Sequence, residues 1–365
     1  MSTVRPCERG DLPGVAELYT KAFDKSSMAG STGLPNYLGE LHLGNPWYDA
    51  QNPSLVAESP DHRIVGFIGS LPMPLRLGGR PIRSVVGGNF MVDRDHKDPM
   101  VAARLLKSFL GGPHDLALTD TASPVAVKMW QGFGGELARY QSMRWVLPLM
   151  PLSLGVWFAA RSKMARRLAS AVAPAFNAVD GLAERRRRTS RGRASTTTVR
   201  PVDSSFVYSF VTDVDDHRRV QFAGTADEFA WLAGMAGRKT QFGPLRTIAV
   251  HGTQSMLMGV VMYYPNRRGL GQVALAAASA GNHPRVLSAL RDDAIEQGSG
   301  GLMGQADSQF AMALSTSPSV YVFRNDFVML HASDASLIAP LLTGDVSLGR
   351  LSGEWWTRTQ GDAFD

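Results

Sequence analysis

The stretch Phe90–Leu110, FMVDRDHKDPMVAARLLKSFL, decides how the chain is read. Its first residues close an apolar strand, RSVVGGNFMVD (83–93), in which Gly87-Gly88 marks a bulge or a close approach. A charged turn follows. Pro99 suits a first helical residue, and VAARLLKSFL then repeats its apolar residues at helical spacing. Upstream lies a strand with a central glycine, RIVGFIGSLPMPLRLGG (63–79). Before that come an opening strand and helix, VRPCERGDLPGVAELYTKAF (4–23), with Leu12, Val15, Ala16 and Tyr19 on one face. Downstream are a short strand ending in acid, DLALTD (115–120), a helical stretch, SPVAVKMWQGFGGEL (123–137), and a last apolar strand, SMRWVLPL (142–149).

The same order returns later in the chain. VRP recurs at 199–201, followed by SSFVYSFVTDVD, SMLMGVVMYYPNRRGLG, QVALAAASA, the helix RVLSALRDDAIEQ, the acid-ended strand GLMGQAD (301–307) and DFVMLHA (326–332). The match is in order more than in residues. It predicts an α+β protein of two domains of one fold, residues 1–150 and 198–365. Each is expected to be a mixed, mainly antiparallel sheet flanked by helices, closed by SMRWVLPL in the first copy and DFVMLHA in the second. Residues 151–197 are expected to be an apolar-basic helical connector.

Composition bounds the function. With 365 residues, 44% hydrophobic and 19% charged, the chain can bury substantial cores. The one cysteine, Cys7, excludes an internal disulfide framework, and the eight histidines show no HExxH spacing, so no metal site is expected. The net charge of +6 is local: Arg144–Arg193 holds eleven Lys/Arg against Asp180 and Glu184. A nucleic-acid binder spreads basic charge over a folded face, so nucleic acid is not expected as a partner. Trp145–Ala160 is uncharged but broken by Pro148 and Pro151, too short to span a bilayer. The expected location is cytoplasmic. Two readings of 145–193 stay open: an interdomain packing helix with a solvated basic tail around Arg185–Arg188, and peripheral contact with a membrane surface. Self-association to a homo-oligomer is compatible with the spare aromatics.

The first copy resembles the GNAT superfamily of N-acetyltransferases, over roughly residues 3–150, and the second copy, over 198–335, in outline. VRPCERGDLPGVAELYTKAF resembles the family's opening strand and helix, RIVGFIGS its central hairpin, and SPVAVKMWQGFGGEL its closing helix and turn. The resemblance implies an N-acyltransferase that moves an acetyl or other acyl group from acyl-CoA to the amine of a small molecule or peptide. It implies that Phe90, Met91 and Val92 pair with the pantetheine arm. It also places the pyrophosphate loop on Lys97, Asp98, Pro99, Met100, Val101 and Ala102, where backbone N–H groups at a helix N-terminus bind phosphate. Met100 stands where the family pattern has glycine, and Asp98 adds a negative charge. Trp130 stands where the family often has the tyrosine that protonates the thiolate. Proton abstraction from the amine falls to Glu58 or Asp120. Tyr19, Phe23, Tyr37 and Glu40 are expected beside the acceptor. In the second copy His283, Asp307 and Tyr321 are the titratable candidates, and Phe229, Trp231, Tyr263 and Tyr264 are candidate cleft aromatics. A non-catalytic GNAT-like interaction or membrane-surface module is the competing reading.

Overall fold

The computed structural model describes residues 2–23, 32–160, 197–214, 220–324 and 326–364, with short pieces between 167 and 180. Most of the expected connector, including Arg185–Arg188, lies outside the described residues. No described helix is long and apolar enough to cross a membrane.

The chain divides into two units. The first comprises Met1–Ser142, His217–Trp231 and Arg324–Asp365. Its sheet runs in the order β1 (Thr3–Pro6), β2 (Leu55–Glu58), β3 (Ile64–Leu77), β4 (Arg80–Val92), β5 (Leu116–Ala122), β15 (Phe327–His331) and β6 (Glu136–Leu137). A two-residue strand, β9 (Gln221–Phe222), adds to β3. The long β3–β4 hairpin turns at Gly78 and Gly79, both at positive φ, as a two-residue loop requires. Among the described strands of this sheet only β4 and β5 run parallel, joined by the crossover helix α3 (Val101–Leu110). That helix buries Val101, Leu105, Leu106, Phe109 and Leu110, a stripe at helical period. Together with Val127 and Trp130 of α4 (Pro124–Gly132), it closes a core over Ala57, Val65, Ile68, Val85 and Ala117. Helices α1 (Leu12–Ala22) and α2 (Gly33–His42) also pack on this sheet; α1 carries Pro13 in its first turn and buries the expected face of Leu12, Val15, Ala16 and Tyr19.

The second unit comprises Met143–Asp216 and Leu232–Phe323. Its sheet runs in the order β14 (Val320–Phe323), β7 (Met143–Pro148), β13 (Gly301–Gln305), β12 (Leu270–Ala278), β11 (Leu257–Tyr264), β10 (Arg246–His251) and β8 (Thr198–Pro201). Again one pair is parallel, β12 with β13, joined by a helix over His283–Glu296. Two sheets of the same design confirm the expected α+β class.

The domain boundaries differ from those read from the sequence. SMRWVLPL was expected to close the first copy, yet β7 pairs with β13 and β14 in the second sheet. DFVMLHA was expected to close the second copy, yet β15 lies between β5 and β6 in the first. Side-chain shape accounts for the exchange. The Trp145 indole lies over Gly304 of β13, where any Cβ would overlap the ring. Val328, Met329 and Leu330 are wholly buried in the first unit, and the Val328 N–H donates to Ser142 Oγ at 2.9 Å. The division at residues 150 and 198 is therefore replaced by two interleaved units.

Candidate functional site

The parallel pairing of β4 with β5 covers Ser84↔Leu116, Val85↔Ala117 and Val86↔Leu118 and then stops. Beyond it β4 continues against β3, and β5 continues against β15. An opening forms between the two strands, at Gly87, Gly88 and Asn89. Here Phe67 faces Met91 while Gly69 faces Gly88, so β4 carries one residue more than β3, a bulge. Asn89 has φ +49°, a left-handed conformation that asparagine tolerates better than most residues. Adjacent glycines point to opposite faces. A Cβ on Gly87 would meet Phe109 and Trp130, and one on Gly88 would overlap the Glu354 carboxylate. One face of the opening is thus apolar and the other polar.

The polar face is built by three chain-distant groups. Glu354 accepts hydrogen bonds from the Asn89 N–H (3.1 Å), from Thr119 Oγ1 (3.3 Å) and, more closely, from Thr121 Oγ1. His42, at the end of α2, lies over Gly69 and edge-on to Phe67, with Nε2 3.3 Å from the Asn89 side-chain amide. Asp120 Oδ1 accepts from the N–H groups of Glu354 (2.8 Å) and Trp355 (3.2 Å). Burial pushes the Glu354 carboxyl up to about 7, with the neighbouring Asp120 charge acting the same way, against the hydrogen bonds from Thr121 and Asn89. Burial pushes the His42 imidazole down to about 4, so it is neutral at pH 7.

Glu354 sits on a segment that is fastened along its length. Tyr19 of α1 donates its hydroxyl to Thr359 O at 2.6 Å, and Tyr37 of α2 accepts the Arg358 N–H at 3.0 Å. The Arg358 guanidinium covers the Phe364 ring, which packs on Tyr37. Trp356 is wholly buried and meets Trp231 edge-on. Tyr19 and Tyr37, expected beside an acceptor, instead hold this segment. Two aromatic side chains buried with it make the segment part of the core and fix the carboxylate at the opening.

The loop ahead of α3 has mixed character. Lys97, Pro99 and Met100 are exposed. The first-turn N–H groups of Ala102 and Ala103 lie where a helix supplies no carbonyl. The Met100 N–H, however, donates to Asp98 Oδ1 at 3.0 Å, and Asp98 Oδ2 binds Arg104 at 2.6 Å. Arg104, then Met100, hold the Asp98 carboxyl below its ordinary range. Phe90, Met91 and Val92 form the last residues of β4; Met91 is buried, and Phe90 and Val92 pack against the core beneath α3.

No family model and no curated protein matches the sequence. Solved structures do. A conserved protein of unknown function from Enterococcus faecalis, described as a probable N-acyltransferase, aligns over 93% of this chain and 74% of its own, at TM-score 0.60 and 8% identity. A GCN5-related N-acetyltransferase from Anabaena variabilis aligns over 92% and 74%, at TM-score 0.58 and 11% identity. Eis1 from Mycobacterium abscessus aligns over the same shares at TM-score 0.53 and 12% identity. The fold is that of the GCN5-related N-acetyltransferases.

Within this GNAT fold the sequence-derived acids separate. Glu58 lies at the end of β2, bound to Arg5 at 2.6 Å and to His62, and Arg5 foremost holds its carboxyl low. Asp120 lies in the opening and binds main chain. Trp130 packs on Phe109 in the core beneath Gly87 and brings no hydroxyl. In the second unit His283 Nε2 is 2.6 Å from Gln309 Oε1, and Asp307 caps the helix Ser308–Ser315. Tyr263 donates to Asp293, which Arg246 grips at 2.7 Å through two nitrogens, and Tyr264 donates to Ala236 O. Tyr321 is exposed on the edge strand β14, and Phe229 and Trp231 belong to the first unit. The sequence reading did not single out His42, Asn89 or Glu354. An asparagine directly after Gly-Gly within a strand was a usable signal for the bulge. Glu354 had none, because its partners lie more than 200 residues away.

Proposed function

We propose that this chain is an acyl-CoA-dependent N-acyltransferase, with transfer at the opening between β4 and β5 of the first unit. The observation that carries the reading is Glu354: a carboxyl near pKa 7, fixed against the N–H of the β4 bulge. A group with that value is half ionised at neutral pH and is suited to proton abstraction. The open main chain of Phe90–Val92 would pair with the pantetheine arm. Lys97 and the N–H groups of Ala102 and Ala103 would hold the pyrophosphate. In the reaction the Asn89 N–H turns from Glu354 to the thioester carbonyl oxygen and stabilises the charge developing there. Glu354, kept in place by Thr119 and Thr121, takes a proton from the substrate ammonium, which frees the nitrogen lone pair for attack. The amine nitrogen bonds to the carbonyl carbon, the C–S bond breaks, and the second nitrogen proton passes through water to the departing thiolate, since Trp130 offers no acid. The acceptor class is an amine of a small molecule or peptide.

Calorimetry of the full chain with acetyl-CoA tests the reading. Saturable micromolar binding is expected. Lys97→Ala should weaken it about fivefold, the loss of one solvent-exposed ion pair. Asp98→Ala should tighten it by up to about tenfold, because it frees the Met100 N–H and Arg104 for phosphate. Absence of binding by the folded chain would reject the proposal. The Asp98 contact to Met100 favours one second reading, an interaction module that retains the loop without its ligand, and that reading is left standing by such a result.

A further inference from the structure

The opening carries information about the length of the acyl group, on the acyltransferase reading above. Beyond the bulge, a chain longer than a few atoms needs space. Toward α3 and α4 there is none: Phe109 and Trp130 fill the volume that a side chain on Gly87 would take, and Trp130 is almost wholly buried. On the other face, two glycines on adjacent strands leave room, and both rooms are taken. The imidazole of His42 occupies the space over Gly69, and the carboxylate of Glu354 that over Gly88. Neither group can swing aside easily. His42 is buried against Phe67 and Asn89, and Glu354 is tied to Thr119, Thr121 and a buried main chain anchored by Asp120. A long acyl chain would therefore have to displace buried polar groups that are already hydrogen-bonded, and would gain no apolar wall in return.

We infer that the reaction centre accepts acyl groups of two or three carbons and that His42 and Glu354, seated on Gly69 and Gly88, set this limit. A seated methylene in an apolar channel raises affinity about fourfold, so a channel-bearing site improves steadily with chain length. The opposite trend is expected here.

The test is calorimetry of the full chain with CoA, acetyl-CoA, propanoyl-CoA, butanoyl-CoA and hexanoyl-CoA. Acetyl- and propanoyl-CoA should bind alike, and hexanoyl-CoA at least tenfold more weakly than acetyl-CoA. His42→Ala, checked for folding by its melting transition, should shift the hexanoyl-to-acetyl affinity ratio at least tenfold toward hexanoyl. Affinity that is level or rises along the wild-type series would overturn the inference while leaving the acyltransferase reading intact. An unchanged ratio in folded His42→Ala would overturn the role of His42. Should that variant not fold, the wild-type series decides, with Glu354→Ala measured in the same way. Failure of every thioester and of CoA itself to bind would reject the acyltransferase reading, and this inference with it.

Discussion

Glu354→Gln is expected to lower turnover by about 10²–10⁴-fold, the usual contribution of a positioned general base, while acetyl-CoA affinity stays within about threefold. Gln keeps the shape and can still meet Thr119, Thr121 and the Asn89 N–H, so the loss reports proton transfer and not collapse of the opening. In the wild type, activity should rise with pH through about 7 as Glu354 ionises, and the variant should lose that limb. Stability supplies an independent readout. The folded carboxyl is raised from 4.5 to about 7, so between these values the folded state holds a proton that the unfolded state has released. Wild-type stability therefore falls as pH rises across this window, by about 3 kcal/mol at most. Below pH 4.5 both states are protonated and the contribution is flat. Denaturant melts at pH 5 and pH 8 should show Glu354→Gln gaining on the wild type at the higher pH. Equal pH dependence of the two proteins would show that Glu354 is not buried as described.

A chain ended after residue 150 is expected not to fold. Read from the sequence, that piece is a complete domain. In the structure it lacks β15, β9 and the segment carrying Glu354, and it retains β7, whose partners lie in the second sheet. Val328, Met329, Leu330, Leu348 and Trp356 are all essentially inaccessible within the first unit. At about 2 kcal/mol for each such side chain, their removal costs roughly 10 kcal/mol, as much as a whole domain's stability. Residues 1–150 should show no cooperative thermal transition by circular dichroism, whereas the full chain does. A cooperative melt of the short piece would disprove the strand exchange.

The local pattern of the sequence was enough for the order of elements. The apolar stripe of VAARLLKSFL and the face of Leu12, Val15, Ala16 and Tyr19 on α1 each act within a few residues, and each appears where the spacing puts it. Strand partnership is a different matter. SMRWVLPL reads as a buried strand in either sheet; it is the second sheet that receives it, with Trp145 over Gly304 and Trp145, Leu147 and Leu149 buried in that core. The site divides along the same line. The bulge strand, the charged turn and Asp120 are contiguous with the motif that drew attention to them. Glu354 and His42 are brought to the bulge by packing of the closing segment and α2, through contacts that no spacing rule encodes. Glu58 looked equivalent to Asp120 as an acid at a strand end, but a cross-strand arginine neutralises it.

The exchange of β7 and β15 also constrains birth on the ribosome. The first sheet cannot gain β15 until His331 has been made, and the Glu354 carboxylate cannot reach Asn89 until later still. At about 5–20 residues per second, the edge of β5 waits roughly 10–40 s after Ser142 emerges. During that interval an apolar strand edge stands open to neighbouring nascent chains. Yield in cells should therefore respond to translation speed and to chaperones that bind extended strands.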